Sequence, residues 1–291
     1  MKPPIPSIDE VCRKALNLPC SPSLLPRLTA ILQSEDGTAE EIEALILLDT
    51  ALATSTLRLA NSVFYGTSRK IDSVAEAVVR LGQKEIYRLA ALALVSRWET
   101  QVSDLPWEPG DFCRFSLCTA CAAEVLAEMT EAVDPTIAYT AGLVGDIGRL
   151  AVTHACGPHL MEIRDKCRAT GRTWDSVQRE ILGYSDAEVS ARLLKTWLFS
   201  EQMIAAARYQ DAPLLAPAHC LPLLANLHAA RFLAITMGPG AAETSYWFTL
   251  QLPFLEEWGM SKEMLEEALP SLLQSARAKL QGKLLTGSID L

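Results

Sequence analysis

The sequence predicts an all-α protein: two helical lobes followed by a helical tail. Three observations lead there. From Leu24 onward apolar residues recur at helical spacing almost throughout. Ser/Thr-x-x-Glu capping boxes stand ahead of apolar runs at Thr38/Glu41, Ser73/Glu76 and Ser185/Glu188, where the hydroxyl and the carboxylate can satisfy free amides at a helix start. Strand alternation is scarce, and the one hairpin dipeptide, Asp36-Gly37, lies between helical patterns.

Taken in order, six prolines between Pro3 and Pro26 predict a short helix held between extended pieces. Thr38 opens a helix carrying Ile42, Leu45 and Leu48. Asp49 can cap the next, which aligns Ala53, Leu57, Ala60 and Phe64 before a stop at Gly66. Ser73 precedes Val74, Ala77, Val78 and Leu81; Gly82 interrupts, and the pattern resumes over 84–98. The segment 102–110 (VSDLPWEPG) reads as a linker, so residues 1–100 form one lobe and 101–240 a second. In the second lobe, helices are expected over 112–129, 137–144, 150–167 (interrupted near Pro158), 185–197, 201–209 and 222–237. After Gly238-Pro239-Gly240 comes an aromatic cluster of Tyr246, Trp247, Phe248, Phe254 and Trp258. A last helix then follows, with Leu265, Leu269, Leu272, Ala276 and Leu280 on one stripe and Pro270 as a potential kink. This tail, 241–291, either packs on its own domain or offers a surface for a partner or a homodimer, because an apolar stripe must be covered.

Composition narrows the function. The 291 residues, 49% hydrophobic, are enough to bury a substantial core. Against 26 Lys and Arg stand 35 Asp and Glu, a net charge of −9 with no strong basic run. That argues against nucleic-acid binding, which draws on clustered Lys and Arg. No transmembrane span is expected: 89–95 is short, and 221–235 carries Asn226, His228 and Arg231. The N-terminus lacks an apolar signal core, so a cytoplasmic chain with its eight cysteines as thiols is the expectation.

Other constellations favour structural roles. Cys113, Cys118 and Cys121 match one ferredoxin spacing but fall inside a periodic helix, where they read as small core residues. His154 and His159 are five apart and do not share a helical face, and His219 and His228 are isolated. There is no phosphate loop, nucleophile elbow or H-E-x-x-H, and no cofactor is implied. The segment 86–95 is too apolar to be a recognition helix. Asn61 and Ser62, near the end of an apolar helix, read as hydrogen-bonding residues of a turn; the other reading is a recognition surface with Tyr65 and Arg69.

Three stretches carry a resemblance: SLLPRLTAILQ; TLRLANSVFYGTSRKIDSVAEAVVRLGQKEIYRLAALALV over 56–95; and AYTAGLVGDIGRLAV over 138–152. Together they resemble the HDOD family (HD-related output domain), relatives of the HD-superfamily phosphohydrolases, over about residues 20–235. The resemblance implies an HD-like helical bundle. It also implies positions for a metal site, at which this chain carries Phe115 for the first His, Gly145-Asp146 for the His-Asp pair, and Ala230 for the last Asp. Ser185, Asp186, Gln210 and Asp211 stand where similar proteins often carry His. One carboxylate cannot hold a catalytic cation, which needs several imidazole and carboxylate ligands. Asp146 is then expected to cap a helix through the amides of Gly148 or Arg149, or to pair with Arg149; a vestigial ligand cleft containing both is the functional reading. The resemblance therefore implies a non-enzymatic signalling protein that binds a protein partner or small ligand. The alternatives are an HD-type hydrolase of nucleotides or phosphoesters with an unrecognised site, and a nucleic-acid-associated regulator.

Overall fold

The computed structural model describes residues 4–17, 24–34, 36–61, 70–102, 107–237, 248 and 250–285, with backbone alone at 33 and 277–285. The expectations placed on Ser62, Phe64, Tyr65, Gly66, Arg69, Tyr246 and Trp247, and on the side chain of Leu280, lie outside the described residues. Within them every regular element is helical.

The N-terminal lobe comprises α2 (Leu24–Gln33), α3 (Ala39–Leu47), α4 (Thr50–Ala60), α5 (Val74–Leu81) and α6 (Gln83–Thr100). Local chemistry sets their starts. Thr38 and Glu41 form a reciprocal capping box, Asp49 Oδ1 accepts from Leu52 N–H at 2.9 Å, and Ser73 Oγ accepts from Glu76 N–H at 3.1 Å. Asn61 closes α4: its side chain donates to Leu57 O and Ile71 O and accepts from Ile71 N–H, all at 2.7–2.9 Å. It thus ties the end of α4 to the chain entering α5, the structural role expected of it.

The second lobe comprises α7 (Asp111–Thr130), α8 (Pro135–Val144), α9 (Ile147–Thr170), α10 (Trp174–Leu182), α11 (Asp186–Thr196), α12 (Glu201–Tyr209) and α13 (Leu221–Thr236). Helix α7 is its centre, packed by α6, α8, α13 and the tail helix. Buried on all sides, it uses small residues, including Cys113, Cys118 and Cys121, which lie in the core outside any disulfide. A Cβ on Gly142 of α8 would lie 2.9 Å from Ala120 Cα, so these two helices approach backbone to backbone. Helix α9 breaks at Cys156, two residues before Pro158, whose ring and missing N–H disrupt the preceding turn. Helix α10, capped by Thr173, was not legible as a helix in the sequence.

Helix α6 bridges the lobes by touching α7, α8 and α9. Its last turn carries Glu99, a buried carboxylate that accepts from the N–H groups of Gly110, Phe112 and Cys113 and from Trp107 Nε1. The carboxylate thereby anchors the end of the linker and the free amides of the α7 start. Burial nevertheless raises the Glu99 carboxyl above its ordinary range.

The first described helix and the tail helices pack on the second lobe. Helix α1 (Ile8–Leu16), which the sequence groups with residues 1–100, packs instead on α9 and α11. Its apolar stripe of Val11, Cys12 and Ala15 finds cover there, and Tyr184 Oη donates to Pro6 O at 2.8 Å. Helix α14 (Leu252–Glu256) packs on α13, and α15 (Lys262–Leu285) lies along α7. Leu265, Ala268, Leu272 and Ala276 of α15 are buried, so the stripe is covered within the chain at least to residue 276. The stretch Ala218–Thr236 is apolar and long enough to cross a bilayer by composition, but 67% of it is buried in the fold.

Candidate functional site

Asp146 sits at the corner between α8 and α9, with Gly145 closing α8. A side chain at Gly145 would press on Ala141 O at 2.7 Å and Gln210 Oε1 at 3.3 Å, so glycine leaves room for Gln210 to reach the corner. The expected cap is not made. No side-chain hydrogen bond runs from Asp146 to the start of α9. The Gly148 N–H donates to Ser190 Oγ at 2.8 Å, and the Arg149 N–H donates to the Asp146 carbonyl at 2.9 Å. With those amides engaged, the carboxylate is free to turn inward.

What it meets there is an arginine. Arg231 of α13 donates through Nη1 to both Asp146 oxygens, at 2.7 and 2.8 Å, and Gln210 Nε2 donates to Oδ1 at 2.9 Å. Arg149 acts on Asp146 through its charge and also reaches a second carboxylate. Arg149 Nε lies 3.4 Å from Asp186 Oδ2, and Gln178 Nε2 donates to Asp186 Oδ1 at 2.9 Å. Trp174 Nε1 in turn donates to Gln178 Oε1 at 2.7 Å, and Arg231 Nη2 reaches Asp211 Oδ1 at 3.4 Å. Burial alone would raise the Asp146 carboxyl. Arg231 first, then Arg149, outweigh it and hold the group below its ordinary range. At Asp186 burial wins over Arg149 and Gln178, and the carboxyl is raised.

These side chains line one cavity of about 250 Å³, together with Asp175, His228, Phe248 and Gln251. His228 is a buried acceptor: its Nε2 takes the Gln251 N–H at 3.1 Å, and its ring lies 4.8 Å from that of Phe248.

The structure brings Asp146 and Arg149 into the cavity and joins to them Asp186, Gln210 and Asp211; Ser185 does not line it. Phe115 and Ala230 are buried in the core and do not line it. Asn61 serves the α4 end, away from the cavity. The residue that sequence reasoning missed is Arg231. Its signal was a lone charge within the apolar run 221–235, which a buried helix can hold only if the charge is paired. Trp174 and Gln178 escaped notice because α10 did.

The residues at the corner do not fit the metal that the family relation implies. Both Asp146 oxygens are taken by a guanidinium whose charge opposes a cation. The one imidazole lining the cavity presents Nε2 to a backbone N–H. Among the described residues no three His, Cys, Asp or Glu side chains are grouped to hold a metal ion.

The all-helical body built around this corner is that of the HD-related output-domain class. The chain belongs to the HDOD domain family, whose profile matches residues 18–213. An uncharacterized protein of Treponema pallidum (strain Nichols) is 25% identical over 218 residues, 72% of this chain and 41% of that one. The chain thus spans less than half of that curated relative's length. An HDOD domain protein of Geobacter sulfurreducens superposes with a TM-score of 0.73 at 20% identity, covering 94% of this chain and 97% of that one. A protein of Marinobacter aquaeolei VT8, provisionally named for signal transduction, gives 0.73 at 21%, covering 94% and 60%. One of Shewanella amazonensis SB2B, provisionally named a phosphohydrolase, gives 0.68 at 23%, covering 94% and 97%. At these identities the likeness is one of fold.

Proposed function

We propose that this chain is a non-enzymatic regulatory domain of signal transduction, acting by binding a protein partner or small ligand, with the cavity beside Asp146 as its binding site. The observation that carries the reading is the two-pronged hold of Arg231 on Asp146. Phosphoester hydrolysis on this fold needs a cation that both polarises the phosphate and lowers the pKa of a water. A guanidinium supplies fixed positive charge and hydrogen bonds but cannot generate hydroxide, since it binds no water as a Lewis acid and stays protonated. The corner keeps the electrostatic balance of a metal site without its chemistry.

The test is a hydrolysis assay with bis(p-nitrophenyl) phosphate and with cyclic and linear dinucleotides, in Mn²⁺, Mg²⁺ or Fe²⁺, alongside elemental analysis of the purified chain. The expected result is turnover indistinguishable from an Asp146→Asn variant and no stoichiometric metal. Turnover that Asp146→Asn abolishes, with metal bound one to one, overturns the proposal.

A further inference from the structure

The cavity's charge and hydrogen-bond balance favours a particular class of ligand. Four carboxylates line it, those of Asp146, Asp175, Asp186 and Asp211, against two guanidiniums, those of Arg149 and Arg231. The buried pairs Asp146–Arg231 and Asp186–Arg149 cancel. That leaves Asp175 and Asp211. Asp175 shares Arg179 with Glu188, at 3.0 and 2.7 Å, so its charge is offset only in part. Asp211 is 42% exposed, and among the described residues its one ion pair is the 3.4 Å contact to Arg231. Counted by formal charge the lining is therefore net negative, with burial raising the Asp211 carboxyl against the pull of Arg231. An incoming anion would meet arginines already committed to carboxylates, and its own charge would add to the excess.

A second, independent observation points the same way. Gln210 is 4% exposed and lines the cavity. Its amide nitrogen is committed to Asp146, while among the described residues none donates to its Oε1, which is not sealed in the core. It is an acceptor awaiting an N–H or O–H from within the cavity. The ring of Trp174, held by its bond to Gln178, and that of Phe248, against His228, line the same space. Aromatic faces attract organic cations. At about 250 Å³ the space lies below the roughly 300–1,000 Å³ of drug-sized sites, too small to enclose a dinucleotide.

We infer that this cavity binds a small organic cation of the ammonium or guanidinium class, its N–H groups shared between Asp211 and Gln210 Oε1. The inference rests on the regulatory reading and names the ligand class for that site.

Isothermal titration calorimetry on the full chain tests it with 1,4-diaminobutane and agmatine. Uncharged 1,4-butanediol and inorganic phosphate serve as controls. The cations are expected to bind saturably at one site, tighter than about 1 mM. Asp211→Asn, which keeps the side chain's size at a partly exposed position, should weaken them at least about tenfold, the loss of one charge-assisted contact. Asp72→Asn, at an exposed acid elsewhere, should leave affinity unchanged. Equal binding of the diol, binding of phosphate alone, an Asp211→Asn chain that binds like the parent, or no cation binding each overturns the inference. No cation binding together with no phosphoester turnover sinks the ligand class and leaves the regulatory reading standing. Metal-dependent turnover sinks the regulatory reading itself.

Discussion

Replacing Arg231 by Met strands Asp146. The arginine side chain is 10% exposed and the aspartate side chain 7%, so neither partner can be rescued by bulk water. Methionine keeps the aliphatic reach of arginine but not the guanidinium that both carboxylate oxygens use. Removing one member of a buried pair costs about 3–5 kcal/mol, chiefly through the uncompensated charge that is left. For a chain somewhat larger than 250 residues, about 2–4 °C of melting temperature per kcal/mol gives a fall of roughly 6–20 °C at pH 7. The sign of the pH dependence is the sharper readout. In the parent chain the Asp146 carboxyl is held below its unfolded value, so its stabilisation is complete above that value and is lost as pH falls through the folded pKa. Without Arg231, burial dominates and the folded pKa moves above the unfolded one. Stability is then lost as pH rises through it, and the variant recovers when acidified from pH 7 to 5. Asp211, raised by burial and lowered chiefly by Arg231, rises further when that charge is removed and adds to the difference with the same sign. The double variant Asp146→Ala/Arg231→Met should cost less than the sum of the singles, because the buried Asp146 carboxylate is no longer left unpaired. The assay is thermal and urea denaturation across pH. A loss under about 1 kcal/mol at pH 7, or a difference curve flat between pH 5 and 7, refutes the reasoning.

Two further expectations concern the linker anchor and the packing of α9 on α11. Glu99→Ala strands four donors at the linker and the start of α7, each costing about 1–3 kcal/mol when unsatisfied and buried; a loss of at least about 3 kcal/mol by urea titration is expected, with faster hydrogen exchange at the amides of 110–113, and unchanged exchange there would count against the anchor. Gly148→Ala would drive a methyl to 2.5 Å from Ser190 N and closer still to Asp186 O, so α9 and α11 must separate; a loss of about 1–3 kcal/mol or more should appear in the melting temperature, and a neutral outcome would mean that the two helices do not meet this closely.

The sequence by itself determined what depends on neighbours in the chain. Thr38 with Glu41, Asp49 with Leu52 and Ser185 with Glu188 act across three residues, so one turn of backbone is enough to make them. The motif around Asp146 likewise marked the corner where the site lies. The tertiary structure alone decided what the corner holds. Asp146 takes its hydrogen bonds from residues 64 and 85 positions later, which reach it because α12 and α13 pack against α8. No periodicity announces such a partner, and the local amides that seemed ready for the carboxylate were claimed by Ser190 and by a backbone carbonyl instead. Burial explains the outcome: once Asp146 lost water it required a full positive charge, and in this fold Arg231 supplies it.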